Sequence, residues 1–337
     1  MIDNNVSLLK LTTFSLGGRA KYFSQVNTVS ELKDALNFAK EHKLPLFVLG
    51  GGSNIVIGDN GFNGLVLHVN NSSLKIKEGL VTAGAGMVWD DLVKKTIDLG
   101  LCGIECLSGI PGSVGGAPVQ NIGAYGQELK DTFVKLKAFD IKLKKFVMLA
   151  KKECKFGYRE SVFKEKKYKN RFIIWEVTLL LRKGKPEAPK YKSLADLLDR
   201  KKVKKPTLRQ IREGVLALRK KNHIDPKIAG NAGSFFKNPV ISNTLLKKLL
   251  VKYPDMPNFV LENGKAKLFA GWLIEKAGWK GRRYKNVMVS PKHALIIINP
   301  ENKGKASEVA ELAELMRKDV EEKFGIKLER EVGFVNV

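Results

Sequence analysis

The chain has 337 residues, 44% of them hydrophobic and 28% charged, and carries a formal net charge of +26. That length exceeds one small core and calls for two or three domains of ordinary globular composition. No apolar run approaches the roughly 18 to 20 residues that cross a bilayer, and Met1 to Asn5 lack the basic-then-apolar order of a signal peptide, so a cytoplasmic chain without a membrane partner is expected.

In chain order, Ser30 with Glu31 behind it reads as a helix start, and Leu32, Ala35, Leu36 and Ala39 form the apolar stripe that follows. Leu46 to Leu49 predicts a buried strand that runs into Gly50-Gly51-Gly52-Ser53-Asn54, after which Ile55-Val56-Ile57 resumes strand character. A Rossmann turn goes from strand through glycines to helix; strand, loop, strand instead fits a phosphate nest. From Gly64 to Leu181 short strands dominate, interrupted by one helix near Trp89 to Leu99. Residues 183–206, rich in Lys and Pro, read as an exposed excursion. Helices are expected at Leu208 to Lys220, at Ser242 to Tyr253 (stopped by Pro254), and at Phe269 to Ala277 (stopped by Gly278). Ala294 to Ile298 predicts a central strand, and Ser307 reads as the cap of a last helix that Gly325 ends. Ile326 to Val332 alternates as a strand, with Ile326, Leu328 and Val332 on one face. The fold class is α+β.

The charge is compatible with nucleic acid, an anionic surface or small polyanionic substrates. Lysine is spread along the chain and no aromatic residues alternate with basic ones, as a single-strand stacking platform requires, so nucleic acid is not the expected partner. Three cysteines, Cys102, Cys106 and Cys154, form no disulfide framework and no metal-ligand spacing; buried thiols are expected, and no metal.

Four stretches carry chemistry. Residues 109–126 hold six glycines and two prolines, which excludes a regular helix or central strand and leaves amides that a diphosphate or flat ring can approach. In residues 156–164, Arg159 reads either as a side chain snorkelling at a strand end beside Glu160 or as a guanidinium aimed at a carboxylate or enolate. Residues 230–239 (Gly-Asn-Ala-Gly-Ser-Phe-Phe-Lys-Asn-Pro) set Ser234 after a turn of small residues, with Phe235 and Phe236 as an apolar wall. That serine is either a turn cap or a positioned proton donor. Glu331, opposite the apolar face of the last strand, stays open as an ordinary solvated carboxylate.

Residues 13–18 (Thr-Phe-Ser-Leu-Gly-Gly), 50–54, 110–126, 156–164, 230–239 and 328–332, taken in that order, resemble the UDP-N-acetylenolpyruvoylglucosamine reductase family over nearly the whole chain. Each stretch alone matches weakly; the six in order are specific. The resemblance implies a FAD-binding fold of the vanillyl-alcohol-oxidase-like (PCMH) type in two subdomains, with a third α+β domain for substrate. Residues 1–68, completed by 326–337, would be the first subdomain. Residues 69–220, with a tyrosine loop at 183–206, would be the second, and 221–325 the substrate domain. It further implies non-covalent FAD, NADPH as hydride donor, and reduction of UDP-N-acetylglucosamine enolpyruvyl ether to UDP-N-acetylmuramate for peptidoglycan, by a cytoplasmic monomer.

By position, the resemblance gives Gly50, Gly51, Gly52, Ser53, Asn54, Ile110, Pro111, Gly112, Ser113, Gly115, Gly116, Ala117, Gln120, Asn121, Ile122 and Gly123 to the cofactor. It makes Ser234 the proton donor, Arg159 the neutraliser of developing carboxylate charge, and Glu331 an acid or hydrogen-bonding partner. Tyr125, Tyr191, Arg219, Asn238 and Lys280 fall where the family contacts substrate or cofactor, Tyr191 as the tyrosine that folds over the uridine diphosphate. Two positions depart from the pattern. Thr12 stands where Asn is usual, and Asn222 where a phosphate-binding Lys is expected, with Lys221 next to it as the substitute. An oxidase on the same flavin fold is the first rival, weakened by glycine loops with no His or Cys for a covalent flavin link. A basic nucleic-acid-binding protein without catalysis is the second.

Overall fold

Two large apolar clusters organise the chain and share no residue. A computed structural model describes every residue except Lys169, Lys190, His223, Glu262 and Asn263. The first unit comprises Met1–Val6, Ala20–Gly52 and Asn63–Lys221; the second comprises Ser7–Arg19, Ser53–Phe62 and Asn222–Val337.

The first unit is built on a five-stranded antiparallel sheet in the order Lys145–Ala150, Phe133–Asp140, Phe172–Leu180, Leu80–Gly84, Leu74–Lys77. Leu136 pairs with Val177 and Val177 with Ala83. All three are buried in one cluster, as the period of two requires when one face is covered. A four-stranded sheet in the order Asp3–Ser7, Arg19–Val26, Phe62–Val69, Leu46–Leu49 supplies Val26, Leu65, Leu67 and Val69 to the same cluster. Helix Val29–Glu41 adds Leu32, Ala35 and Ala39. Its cap is Thr28, not Ser30: Thr28 Oγ1 accepts the Glu31 amide at 3.2 Å and the Glu31 carboxylate accepts the Thr28 amide at 3.2 Å. Counting back three residues from the glutamate gives this box directly.

The segment expected as an exposed excursion contains a helix, Lys192–Arg200. Its Leu194 and Leu198 pack with Ile211, Val215 and Leu218 of helix Leu208–Asn222 and with Cys106. Gly214 allows that approach, since a β-carbon there would lie 2.9 Å from Leu194 Cδ1. Lys192 is the lysine within that helix; the segment's other lysines flank it in the sequence, which is why composition alone reports a loop. The three cysteines are buried and free, and burial pushes the Cys106 and Cys154 thiols up to about 12, as inert core thiols.

The second unit holds a four-stranded sheet in the order Gly230–Ser234, Ile296–Asn299, Val287–Val289, Arg283–Tyr284, and a three-stranded one in the order Val240–Ser242, Lys265–Leu268, Asn258–Val260. Helix Asn243–Lys252 is capped as expected, the Leu245 amide donating to Ser242 Oγ at 3.2 Å. Helix Ala306–Phe324 is not capped by Ser307, which lies in its first turn. Asp59 supplies the anion instead, accepting from the Ala306 amide at 2.7 Å and from the Ser307 amide and hydroxyl at 3.2 and 2.9 Å. Asp59→Ala should therefore destabilise the protein by about 1 kcal/mol, lowering its thermal midpoint in a calorimetric scan without moving the flavin spectrum. Residues 326–332 form no continuous strand: Arg330 makes an isolated bridge to Phe236, and the strand proper is Gly333–Val335, parallel to Ile55–Ile57. Ile326, Leu328 and Val332 are nonetheless buried together.

Two half-buried histidines contribute to the pH response of stability. Burial lowers His68 from its ordinary 6.5, and His68 Nδ1 has no hydrogen-bond partner among the described residues. His293 is lowered too, first by burial and then by Lys280. Both are neutral when folded, so the unfolded chain binds more protons below 6.5. Their contribution is complete above pH 6.5 and is lost as pH falls toward their folded values. Asp140, held below its ordinary 3.8 chiefly by Arg171, loses its contribution only at lower pH. Thermal melts should show a downward slope starting near neutrality, and His68→Gln should flatten part of it.

Candidate active site

Strand Leu46–Leu49 ends on Gly50 and the chain bends through Gly52 (φ +60°), both in the first unit; strand character returns at Ile55, in the second, the order expected of a phosphate nest. Gly51 lies against a second glycine: a β-carbon on it would sit 2.6 Å from Gly112 Cα and 2.9 Å from the Ser113 nitrogen. A β-carbon on Gly50 would meet Ser113 Oγ at 3.0 Å. The stretch 113–115 is tied to 85–88, Val114 N donating to Met87 O at 2.9 Å and Gly115 N to Ala85 O at 2.8 Å. The Ser113 hydroxyl is buried with no partner among the described residues. A cavity of about 170 Å³ opens here, walled by Val48, Val69, Val119, Phe163, Phe172 and Ile174 with Ser113, Gly115 and Gly116. Drug-sized sites are commonly roughly 300–1,000 Å³, so this space has room for only part of a dinucleotide. An orphaned hydroxyl, glycines whose side chains would fill the cradle and an apolar slot together fit FAD.

The remaining positions expected to meet the cofactor differ in their surroundings. Ala117 and Ile122 belong to the core cluster, Ile110 packs against it, and Pro111 is exposed. Ala117–Gln120 form a short 3₁₀ turn that ends at Asn121 in the left-handed region (φ +45°). The Asn121 side chain is fully engaged, donating to Glu128 Oε2 and Gly157 O at 2.9 Å each and accepting the Lys130 amide at 2.9 Å, so only its backbone is left to a ligand. Ser53 and Asn54 belong to the second unit, where Asn54 Nδ2 donates to Glu331 O at 3.2 Å.

Gly123–Ala124 and Gln127–Glu128 form a two-residue hairpin whose tip, Tyr125 and Gly126, has φ +47° and +87°. That is the primed turn that matches strand twist, with an unusual tyrosine at its first position. The Tyr125 ring meets Tyr191 edge to face at 5.5 Å and packs against the cluster that holds the two helices together. Tyr191 is 43% exposed and immediately precedes helix Lys192–Arg200. Arg159 is not at a strand end. It occupies a tight turn between the paired residues Gly157 and Glu160 with φ +55°, and its Nη2 donates to Gly123 O at 2.7 Å. A buried pair unforeseen in the sequence, Glu105 and Gln127, holds the hairpin: Gln127 Nε2 donates to Glu105 at 3.1 Å and the Cys106 amide to Gln127 at 2.8 Å. Arg219 is half-buried on the last turns of helix Leu208–Asn222, and Lys221 is exposed two residues later.

In the second unit, residues 230–234 are a bulged strand rather than a turn. Asn231 pairs with Ile298 and Ser234 with Ile296, three steps against two, and Gly233 takes φ +70°. The extra residue brings Ser234 to the same face as Asn231, where an even strand would place them on opposite faces. Asn231 holds the bulge, accepting the Gly233 amide at 3.0 Å and donating to Ala229 O at 2.9 Å. Ser234 is half-buried and its hydroxyl engages none of the described residues. Phe235 and Phe236 are buried in the unit's own core, so they anchor the strand rather than wall the serine. On the next segment Glu331 donates its amide to Phe235 O at 2.9 Å, which sets it beside the Ser234 strand; Arg159 belongs to the first unit. Asn238 Oδ1 accepts the Ala270 amide at 3.0 Å, capping helix Ala270–Lys276. Lys280 pairs with Glu275 at 2.8 Å, and both influence His293, a residue that no sequence motif singles out.

A family model described as a FAD binding domain matches residues 20–142, and one described as the UDP-N-acetylenolpyruvoylglucosamine reductase C-terminal domain matches 225–335. The UDP-N-acetylenolpyruvoylglucosamine reductase of Flavobacterium johnsoniae is 39% identical, with 99% of each chain covered. That of Pseudomonas aeruginosa is 37% identical, with 98% of each covered. The crystal structure of the Thermus caldophilus reductase superposes with a TM-score of 0.70 at 27% identity, covering 99% of each chain. p-Cresol methylhydroxylase, at 11% identity and a TM-score of 0.53 over 97% of this chain and 84% of its own, shares the fold. With whole-length relatives at this identity and a FAD-binding domain in place, the chain belongs to the UDP-N-acetylenolpyruvoylglucosamine reductase family of flavin-dependent oxidoreductases.

Proposed function

We propose that the protein reduces the enolpyruvyl group of UDP-N-acetylglucosamine enolpyruvyl ether to UDP-N-acetylmuramate, using NADPH and bound FAD, in the cytoplasmic synthesis of peptidoglycan precursors. The bulge at Gly233 carries this reading: it presents an unengaged, half-buried serine hydroxyl beside the segment bearing Glu331, inside the domain matched to the reductase family. FAD, which Gly50 to Gly52 and Gly112 to Gly116 would hold, would supply hydride to the terminal methylene carbon of the substrate. Negative charge then spreads onto the substrate carboxylate as an enolate. Ser234 Oγ gives its proton to the carbon that bears the carboxylate; a hydroxyl is acidic enough because an enolate is a strong base. Arg159 offers its planar fork to the carboxylate oxygens, and the Gly157–Glu160 turn fixes its direction. Glu331 completes the carboxylate site as acid or hydrogen-bond donor.

Residues 1–68 with 326–337 and residues 69–220 would serve as the FAD subdomains and 221–325 as the substrate domain, in a monomer. Tyr191, packed edge-on against Tyr125, would close over the uridine diphosphate, whose charge Arg219 and Lys221 meet, while Asn238 and Lys280 line the substrate domain. The test is anaerobic stopped-flow on the yellow holoenzyme. NADPH should bleach the flavin, and the enolpyruvyl substrate, without oxygen, should restore its colour stoichiometrically. Reoxidation by oxygen alone, with the substrate inert, would replace the reductase by an oxidase.

A further inference from the structure

Three arginines lie along helix Leu208–Asn222 at positions 209, 212 and 219, a spacing of three and then seven that keeps them on one face. The first two are engaged by helix Trp89–Asp98. Arg209 pairs with Asp98 at 3.3 Å, and Arg212 makes two bonds to Asp90, at 2.6 and 2.7 Å. The third, Arg219, is half-buried and forms no hydrogen bond or ion pair with any described residue. Its stem rests on Gly109, where a β-carbon would lie 3.1 Å from its Cδ and 3.2 Å from its Nε. Asp90 is at the same residue, accepting the Gly109 amide at 2.5 Å.

A half-buried guanidinium beside a carboxylate ordinarily forms an ion pair with it. Here Asp90 is already occupied: Arg212 takes both oxygens and Gly109 shares one. Burial alone would push the Asp90 carboxyl up, but the Arg212 bonds and the Gly109 amide outweigh it and hold the group below its ordinary 3.8. Burial pulls Arg219 down, opposed by Tyr125 and Asp90, so the uncompensated cation is held at some expense. We infer that Arg212 is a positioning residue that sequesters Asp90, leaving Arg219 with an open charge for the diphosphate of the incoming substrate. This rests on the proposed contact between Arg219 and that diphosphate.

The test uses holoenzyme and two probes, uridine 5′-diphosphate and uncharged uridine, titrated against the flavin spectrum. Arg212→Gln frees Asp90 to pair with Arg219 and should weaken uridine diphosphate binding about tenfold, with uridine affinity unchanged. Asp90→Asn added to Arg212→Gln removes the competing charge and should restore binding to within about twofold of wild type. Arg212→Lys keeps the charge but can hold only one Asp90 oxygen at a time, so its uridine diphosphate affinity should fall between those of wild type and Arg212→Gln. A purely structural ion pair predicts that both probes weaken together and that the double variant is no better than the single, either of which overturns the inference. If Arg219→Gln weakens uridine diphosphate and Arg212→Gln does not, the inference fails and the diphosphate contact stands. If Arg219→Gln has no effect, the contact itself fails.

Discussion

Ser234→Ala should slow reoxidation of the reduced flavin by the enolpyruvyl substrate by about 10²–10⁴, while reduction by NADPH stays within about twofold of wild type. The asymmetry follows from what the hydroxyl touches. It engages no described residue, so its removal leaves no orphaned partner and opens little space at a half-buried site. The bulge is held by Asn231 and by the left-handed Gly233, not by the serine, so the backbone should persist in the variant. Folding stability should change by no more than about 0.5 kcal/mol, which a melt can verify before any kinetics. Proton donation is needed only when the substrate carbanion forms, so only that half-reaction loses its donor. Equal slowing of both half-reactions would remove Ser234 from the role, because a proton donor to substrate carbon has no part in flavin reduction.

The parts of this molecule legible in the sequence are those decided locally. Helix Asn243–Lys252 announces itself through Ser242 and Pro254, and the loop at 50–52 through three glycines between β-branched runs. What escaped are relationships between distant residues. The bulge at Gly233 is defined only against Ile296–Ile298, since the segment by itself reads equally well as a turn. Asp59 caps a helix 247 residues away, which hides the true start of helix Ala306–Phe324 behind a plausible serine. Gly230 must be glycine because a β-carbon would lie 2.2 Å from Phe14 O, a contact that sets residues 230–239 against residues 13–18. Arg159, Asp90 and Arg212 show the same limit: residue type suggested charge, but only the turn at Gly157–Glu160 and the pairing across two helices show where each charge is directed.

The glycine cradle separates packing from ligand approach, and a pair of variants tests the distinction. Gly51→Ala drives a methyl group to 2.6 Å from Gly112 Cα, backbone against backbone, where no side chain can rotate away. The loops must part, at about 1–3 kcal/mol of stability, so both the melting temperature and FAD retention should fall. Gly116→Ala is different. Its β-carbon would lie 3.5 Å from Ser113 O and 3.7 Å from Ser113 Oγ, ordinary contacts, at a φ of −76° that alanine adopts freely. The apoprotein should therefore melt as wild type does. Gly116 nonetheless lines the cavity beside the orphaned Ser113 hydroxyl, so a methyl group there intrudes only on whatever occupies that space. FAD titration of the Gly116→Ala apoprotein should show affinity reduced by about tenfold or more, the equivalent of one obstructed close contact. Wild-type FAD affinity in Gly116→Ala would move the cofactor out of this cradle, whatever Gly51→Ala did, because only the former variant leaves the empty protein undisturbed.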